Sequence, residues 1–325
     1  MHNQGKQILN EHALELINKG FNREDYLGQD RQKKTLRKLL SLRSKKNQVN
    51  SAEYLPTMMN DKFRNNFYEN LIKDNAGGKT ILEVGTGAGL LTLLALKYGA
   101  QHISTYEYNP LLHDKLKKLI NRYYSNSNRW TLYQKSLFDC DAADLKQEYD
   151  IVLHELFSAN IFGEDFIATA LLAKLFLKPE GKIMPGNIHV LAKPVLFENI
   201  DNHRLIMKTH SDFSFDEFNE LPPICHMAQS DFVEMKMQRD YGAELIFSID
   251  LNSHDVPLKD SKEILIDKSI DCNALLIYFE ITNEQYILTN DPSQNETHWG
   301  CLWHPIKEKS SPVTFNYNLN TFWIS

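Results

Sequence analysis

Residues 80–99 read TILEVGTGAGLLTLLALKYG, which is a short apolar segment followed by a glycine-rich turn and a helical segment. The apolar residues up to Val84 predict a buried strand. The turn contains Gly85, Gly87 and Gly89, and glycines let the backbone approach a ligand closely. The first N–H groups of the following helix point toward that ligand. A strand, a glycine turn and a helix in this order indicate an α/β fold with a ligand site beside the turn.

An acidic residue ends the next predicted strand. Glu107 closes HISTYE about 20 residues after the glycines, where a carboxylate can accept both hydroxyls of a ribose. A dinucleotide and S-adenosylmethionine both fit this geometry. Glu83, just before the glycines, is a candidate for cofactor binding and favours S-adenosylmethionine, and no second mononucleotide-binding half follows in the sequence. Ser136 and Leu137 follow the predicted strand WTLYQ, where an adenine edge would be read.

Two carboxylates lie on one predicted loop in YDIVLHELFSANIFGED, residues 149–165. Glu155 follows the buried strand of residues 151–153, and Glu164 comes nine residues later. Ligands of open α/β sheets bind at the carboxyl ends of strands, and like charges close together raise each other's pKa. A planar guanidinium has donors on two edges and satisfies two carboxylates at once. The stretch therefore predicts an arginine side chain as the substrate.

A helix is predicted from Phe166 to Leu177, ended by KPEGKIMP, and the alternation of strands and helices stops near Pro185. Beyond it come short strands with turn signals, IHVLAKPVLF, AELIFSIDL, ALLIYFEI and PVTFNYNL, which predict a second, mostly β domain. Before residue 50, two amphipathic helices are expected, and the second has a basic face. That face is either solvated or a docking surface for an acidic partner or nucleic acid. The predicted regions are 1–50, 51–185 and 186–325.

Composition excludes several classes of protein. The net charge of -6 argues against general nucleic-acid binding, which needs a basic surface. The four cysteines form no CxxC pair, so neither a zinc site nor a disulfide framework is expected. No signal peptide and no membrane-spanning run is visible in the sequence. A soluble, cytoplasmic protein is the expectation.

Two further segments carry candidate residues. A helix is predicted from Tyr54 to Ile72, and its segment MMNDKFRN, residues 58–65, places Asp61 and Arg64 three residues apart on one face. His298 lies between Thr297 and Trp299, just before a predicted strand. A lone histidine is more often structural, but a hairpin tip at this position can carry His298 back to the first domain.

In their order along the chain, these motifs resemble the protein arginine methyltransferases from about Tyr54 to the C-terminus. MMNDKFRN is similar to the family's first helix, ILEVGTGAGLL to its cofactor loop, HELFSANIFGE to its double-glutamate loop, and THW to its THW loop. The phrase HELF…GE is most similar to the monomethylating branch. The resemblance implies a Rossmann-like S-adenosylmethionine domain, then a β-barrel-like substrate domain. It also implies a head-to-tail homodimer, with residues 199–225 as the dimerisation arm.

The resemblance also assigns roles in cofactor binding. Arg64 would pair with the methionine carboxylate of the cofactor, the three glycines would shape its pocket, and Glu107 would bind its ribose. An acidic residue that often reads adenine in the family is replaced near Leu137, so Ser136 and the backbone are expected to bind adenine. The family's paired tyrosines are represented only by Tyr54.

On the substrate side, the resemblance implies that Glu155 and Glu164 clamp the guanidinium. Met58 would press on the substrate nitrogens, and Trp299 would lie at the substrate. His298 would pair with Asp61 and so tie the β domain to the first helix. No metal is expected in this site.

The sequence leaves several alternatives open. The acceptor is either arginine in a protein or peptide, or free L-arginine, and one or two methyl groups are transferred. The glycine turn alone also fits another small-molecule methyltransferase. The remaining alternative is a protein that binds S-adenosylmethionine without catalysing a reaction.

Overall fold

The computed structural model describes residues 55–125, 127–137, 149–203, 214, 224–283, 285–306, 312–319 and 321–325. The predicted helical extension of residues 1–50, Tyr54 and most of the predicted dimerisation arm lie outside these ranges. No helix in the described ranges has both the length and the apolar character needed to cross a membrane.

The first half of the chain forms a five-stranded parallel sheet in the order β3-β2-β1-β4-β5. Its strands are β1 (Thr80–Val84), β2 (His102–Tyr106), β3 (Trp130–Tyr133), β4 (Tyr149–His154) and β5 (Leu177–Met184). Val84 lies opposite both Tyr106 and His154, so β1, β2 and β4 end at the same edge. The glycine turn, Glu107 and Glu155 each follow one of these strand ends and are therefore brought together.

Helices accompany this sheet, and all but the first place apolar residues in the core that the strands share. They are α1 (Leu55–Asn60), α2 (Lys62–Asn75), α3 (Leu90–Lys97), α4 (Pro110–Tyr124) and α5 (Phe166–Lys174). Helix α4 begins after Asn109, whose side chain accepts a hydrogen bond from the N–H of Leu111, and Pro110 suits the first helical position. Its buried residues Leu112, Leu116 and Ile120 recur every four positions, as expected for one buried face.

The second half of the chain is almost entirely antiparallel. Its elements are β6 (Asn187–Phe197), a 3-10 turn (Ile200–Asn202), β7 (Cys225–Met227), α6 (Gln229–Met235), β8 (Met237–Asp240), β9 (Glu244–Asp250), β10 (Lys259–Ile264), β11 (Ala274–Asn283), β12 (Tyr286–Thr289), β13 (Cys301–Pro305), β14 (Val313–Asn318) and β15 (Thr321–Ile324). They form one seven-stranded and one three-stranded sheet. The four strands predicted beyond Pro185 correspond to β6, β9, β11 and β14 and are confirmed, as is the Rossmann-like first sheet.

Strand β5 corrects the sequence analysis, which reads KPEGKIMP only as the end of a helix. These residues pair in parallel with β4 at the edge of the sheet. The side chain of Asn252, from the second half, accepts a hydrogen bond from the Ile183 N–H at 2.8 Å and donates one to its carbonyl at 3.1 Å. Asn252 thus acts as a neighbouring strand would. The sequence does not reveal this strand, because Pro179 and Glu180 are exposed and interrupt its apolar pattern. Proline is tolerated here because β5 lies at the edge of the sheet.

One continuous apolar core joins the two halves. Phe162, in the loop that carries both candidate glutamates, stacks on Tyr317 of β14 with ring centroids 4.4 Å apart. Phe157, in the same loop, lies 6.1 Å from the ring of Phe279 in β11. Buried aromatic pairs of this kind stabilise beyond their area. The loop is therefore held between the parallel sheet and the antiparallel sheet.

Candidate active site

A cavity of about 900 Å³ opens at the carboxyl ends of the parallel strands and is lined from both halves of the chain. It brings together most of the residues that the sequence singles out: Met58, Arg64, Gly85, Gly87, Glu107, Ser136, Leu137, Glu155, Glu164, His298 and Trp299. Three other candidates, Asp61, Glu83 and Gly89, are not in its lining. These three residues lie just outside the cavity lining, next to residues that belong to it.

The glycine turn has the backbone conformation that its residue type allows. Gly85, Gly87 and Gly89 all have positive φ, at 78°, 54° and 84°, which strains any residue with a side chain. Gly89 has a second constraint, because a Cβ atom there would lie 2.8 Å from the side chain of Leu116. This glycine allows α3 to start against α4.

Glu107 stabilises the glycine turn by accepting hydrogen bonds from backbone N–H groups. Its Oε2 accepts a hydrogen bond from the N–H of Gly87 at 3.1 Å, and its Oε1 accepts one from the N–H of Asn109 at 2.8 Å. Burial raises the pKa of this carboxyl, although both hydrogen bonds favour the ionised form. A carboxylate oxygen has two lone pairs, so each oxygen keeps one acceptor site for a ligand hydroxyl.

Glu83 corrects the prediction that it contacts a cofactor directly. It is fully buried beneath the glycine turn, where its Oε2 accepts hydrogen bonds from the hydroxyls of Thr92 and Thr105. Burial raises its pKa to about 7. The hydroxyl of Thr105 also contacts that of Thr86 in the turn. Glu83 therefore ties β1 to α3 and β2, and it supports the turn from below.

Asp61 divides the single helix predicted for residues 54–72 into α1 and α2. Its backbone is extended, with φ -72° and ψ 98°, and its Oδ1 caps α2 by accepting a hydrogen bond from the N–H of Arg64 at 2.9 Å. The helical pattern continues across this break, so apolar spacing alone did not reveal it. The break turns Arg64 and Met58 toward the cavity.

The second oxygen of Asp61 binds the other half of the chain. Asp61 Oδ2 accepts hydrogen bonds from the backbone N–H of His298 at 3.0 Å and from its Nδ1 at 2.8 Å. Although burial opposes ionisation, the bonds from His298 and Arg64 lower the pKa of Asp61. The predicted contact between these two residues is present in the structure, and it joins α2 to the loop between β12 and β13.

Arg64 forms an ion pair that the sequence did not reveal. Its Nη2 lies 2.8 Å from Glu155 Oε2, and its Nη1 donates to Asn65 Oδ1 at 2.8 Å. Arg64 Nε is buried and has no hydrogen-bond partner among the described residues. The pair joins residues 91 positions apart, and no local pattern reports such a contact. One glutamate of the predicted clamp is thus already partnered by the protein.

Glu164 differs from Glu155 because it has no such partner. It is accessible from the cavity and makes no hydrogen bond or ion pair with the described residues. As a residue Glu164 is exposed. Desolvation of its carboxyl group within the cavity, together with the negative charge of Glu155, raises the pKa of Glu164 to about 7. Burial also raises the pKa of Glu155, against the opposing effect of Arg64. An added cation in the cavity would stabilise both ionised forms.

Residues from the second half of the chain form one side of the cavity. Trp299 is buried, and its indole N–H donates to the carbonyl of Phe157 at 2.8 Å, so it fixes the start of the double-glutamate loop. His226 of β7 also lines the cavity, and its Nε2 lies 3.0 Å from the carbonyl of Trp299. Sequence reasoning missed His226, because an isolated histidine near the predicted arm carries no distinguishing pattern.

No family model matches the chain, but individual proteins do. It is 24% identical over 284 residues to "Histone-arginine methyltransferase CARMER" of Anopheles gambiae, a match that covers 79% of this chain and 44% of that protein. It is 23% identical over 260 residues to "Arginine N(omega)-methyltransferase" of Streptomyces achromogenes subsp. streptozoticus, covering 79% of this chain and 71% of that protein. This chain therefore spans less than half the length of the mosquito protein.

A solved structure shares the fold. The chain superimposes with a TM-score of 0.62 and 19% identity on a chain of the "Trypanosoma brucei PRMT1 enzyme-prozyme heterotetrameric complex with AdoHcy". The match covers 81% of this chain and 86% of that one. Both halves of the described structure thus have a counterpart in a known fold.

Proposed function

We propose that this chain, which is similar in sequence to named arginine methyltransferases and shares the fold of one of them, transfers a methyl group from S-adenosylmethionine to a guanidino nitrogen of arginine. One observation carries the proposal. Glu155 and Glu164 lie in the same cavity as the glycine turn and Glu107, and of these two carboxylates only Glu155 has a cationic partner within the described part of the chain.

The residues on the cofactor side fit S-adenosylmethionine. Glu107 has one unused acceptor site on each oxygen for the ribose hydroxyls. Arg64 uses two of its five N–H donors, and the remaining three include the unpartnered Nε–H. It can therefore bind a carboxylate without releasing Glu155. Ser136 and Leu137 line the part of the cavity proposed for adenine. When bound, S-adenosylmethionine supplies an electrophilic methyl group on sulfur.

Charge balance explains why the substrate side accepts a cation. Ionised Glu155 and Glu164 carry two negative charges, and Arg64 offsets one of them. The remaining negative charge attracts a guanidinium, which stays protonated in proteins because its pKa exceeds about 12. Glu164 Oε atoms and the free Oε1 of Glu155 can each accept N–H groups from one edge of that cation.

The clamp also accounts for reactivity. The nitrogens of a guanidinium are poor nucleophiles, since their lone pairs are delocalised. Two carboxylates on its far edges draw the positive charge toward the nitrogens they bind, which leaves electron density on the third. Holding that nitrogen about 3 Å from the reacting carbon supplies much of the remaining acceleration. No strong general base is needed if the proton leaves after the methyl group arrives.

We propose the arginine side chain as the methyl acceptor, either in a protein or peptide or in free L-arginine. The name of the mosquito relative specifies histone arginine, and that of the Streptomyces relative specifies arginine itself. Monomethylation and a head-to-tail homodimer are further parts of the proposal. Residues 51–185 would bind the cofactor and hold the guanidinium between Glu155 and Glu164, and residues 186–325 would complete the substrate site and bind the partner.

Transfer of a labelled methyl group tests the function. The protein is incubated with labelled S-adenosylmethionine and either free L-arginine or an arginine-rich peptide, and the products are identified by mass spectrometry. We expect one acceptor to gain a methyl group on a terminal guanidino nitrogen. Binding of the cofactor with no transfer to either acceptor would contradict the proposal and favour a non-catalytic binding protein.

The pKa of Glu164 predicts the pH dependence of this activity. Only the ionised form attracts a guanidinium, and desolvation and the charge of Glu155 raise the pKa of Glu164 to about 7. We therefore expect kcat/KM for the acceptor to fall about tenfold per pH unit below pH 7 and to level off above it. The measurement covers pH 5.5 to 9 at saturating cofactor, with thermal denaturation at each pH to exclude unfolding. A flat profile between pH 6 and 8 would show that Glu164 does not titrate during binding.

A further inference from the structure

The loop between β12 and β13, residues 290–300, brings His298 to α2 across the cavity. We call it the carrier loop. It contains no helix or strand, and fixing such a segment in one conformation costs backbone entropy at every residue. If the loop were held only at its tip, the residues on either side of His298 could adopt many conformations. Contacts at the base of the loop are therefore needed to set its path.

Asn290 closes the neck of the carrier loop. Its side-chain oxygen accepts a hydrogen bond from the N–H of Phe279 at 2.7 Å, and its amide nitrogen donates to the carbonyl of Gly300 at 2.6 Å. Gly300 has φ 64°, and a Cβ atom there would lie 2.4 Å from the carbonyl of Met227. Both ends of the loop are thus held against neighbouring strands.

Asp291, the next residue, is fully buried and folds the loop around its carboxylate. Its Oδ1 accepts hydrogen bonds from the N–H and hydroxyl of Ser293 at 3.0 and 2.7 Å. Its Oδ2 accepts from the side-chain amide of Gln294 at 3.0 Å and from Lys193 Nζ at 2.8 Å. All four acceptor positions of the carboxylate are occupied, so the first turn of the loop has one arrangement.

Lys193 fixes that carboxylate to the sheet. It lies on β6, is 3% exposed, and uses its three N–H donors on three oxygens. These are Asp291 Oδ2 at 2.8 Å, Asp240 Oδ2 at 2.7 Å and Ser293 Oγ at 2.9 Å. A buried ion pair is a poor source of stability compared with apolar packing, but it can specify one geometry. Here that geometry is the path of the carrier loop.

We infer that Lys193 and Asp291 form a positioning pair, which presets the carrier loop so that His298 reaches Asp61. The inference rests on the proposed function, because its effect is read at the reaction centre. From Asp61 the contacts continue to the backbone N–H of Arg64, which Asp61 caps, and from Arg64 to Glu155. A shift at the base of the loop is thereby transmitted to a residue of the clamp. Neither Lys193 nor Asp291 touches the cavity.

A double-mutant cycle on kcat tests this positioning. Asp291→Asn keeps the shape of the side chain but presents an amide in place of the carboxylate to Lys193. We expect kcat to fall ten- to a hundredfold, since small misplacements of reacting groups have effects of that size. In a His298→Ala background, Asp291→Asn should change kcat less than twofold, because the contact it positions is already lost. Lys193→Met should behave in the same way.

Lys174→Met is the matched control. Lys174 is a half-buried lysine whose Nζ donates to the carbonyl of Ser253 at 2.6 Å, outside the cavity lining. We expect it to lower the melting temperature without changing kcat. If Asp291→Asn fails to fold, Ser293→Ala removes one contact to each member of the pair, and we expect a fall in kcat of about threefold. Unchanged kcat in the folded variants would overturn the inference, as would full additivity with His298→Ala.

Hydrogen exchange separates this inference from the proposed function. We expect amides of residues 295–300 to exchange at least tenfold faster in Asp291→Asn than in the parent protein or Lys174→Met. This holds whether or not the parent methylates arginine. Absence of methyl transfer with faster exchange would reject the proposed function and keep the positioning pair. Unchanged exchange in this segment would reject the positioning pair itself.

Discussion

Replacing Glu164 with glutamine is expected to lower kcat about a thousandfold while changing the affinity for S-adenosylhomocysteine less than threefold. The amide presents an N–H group to the guanidinium where the carboxylate presented only acceptors, and the attraction of the unpaired charge is lost. A thousandfold change equals about 4 kcal/mol of transition-state stabilisation, within the range for removal of a preorganised electrostatic group. Initial rates at saturating substrates and calorimetric titration with S-adenosylhomocysteine measure the two quantities.

Glu155→Gln should differ in a way that identifies the clamp. Turnover should fall by a similar factor, but the cofactor should also bind more weakly because Arg64 loses the partner that holds it at 2.8 Å. Glu180→Gln is the control, since Glu180 is an exposed residue of β5 outside the cavity lining. Normal turnover in Glu164→Gln would remove the clamp from the mechanism.

Replacing Glu107 with alanine is expected to raise the Kd for S-adenosylhomocysteine about a hundredfold. The substitution removes the proposed acceptor of the ribose hydroxyls, and it also releases the N–H groups of Gly87 and Asn109. Hydrogen bonds to a charged group contribute about 1.5–3 kcal/mol each, so losing two ribose contacts accounts for an effect of this size. Calorimetric titration of the folded variant gives the value.

Two further variants serve as comparisons for the Kd of Glu107→Ala. Glu107→Gln keeps one side-chain oxygen as an acceptor and should fall between the parent protein and Glu107→Ala. Glu69→Ala removes an exposed glutamate that pairs with Lys97 on the surface, and it should bind as the parent does. A Kd within threefold of the parent for Glu107→Ala would show that the ribose binds elsewhere.

The sequence was informative where a contact is made by neighbouring residues or by the ends of adjacent strands. The glycine turn needs positive φ values, which only glycine adopts at low cost. The positions of the glycines in the sequence were therefore enough to predict the turn. Glu107 and Glu155 each follow an apolar strand, and parallel strands end at a common edge. These local rules put both residues at one edge of the sheet, where the structure has the cavity.

Other features of the site were decided by burial. Glu83 lies beside the glycines in the sequence, and its proximity predicted a direct cofactor contact. In a strand, however, successive side chains point to opposite faces, and Glu83 points into the layer beneath the turn. The break at Asp61 was hidden for a related reason, since the apolar spacing of α1 continues into α2.

The order of the elements, the α/β sheet followed by antiparallel strands, and the residue types in the cavity all followed from the sequence. The contact of Asp61 with His298 was implied by the family resemblance, but the ion pairs of Arg64 with Glu155 and of Lys193 with Asp291 were seen only in the folded chain. Local patterns report backbone conformation and burial. An ion pair between distant residues depends on how two halves of the chain pack, and each partner carries no mark of the other.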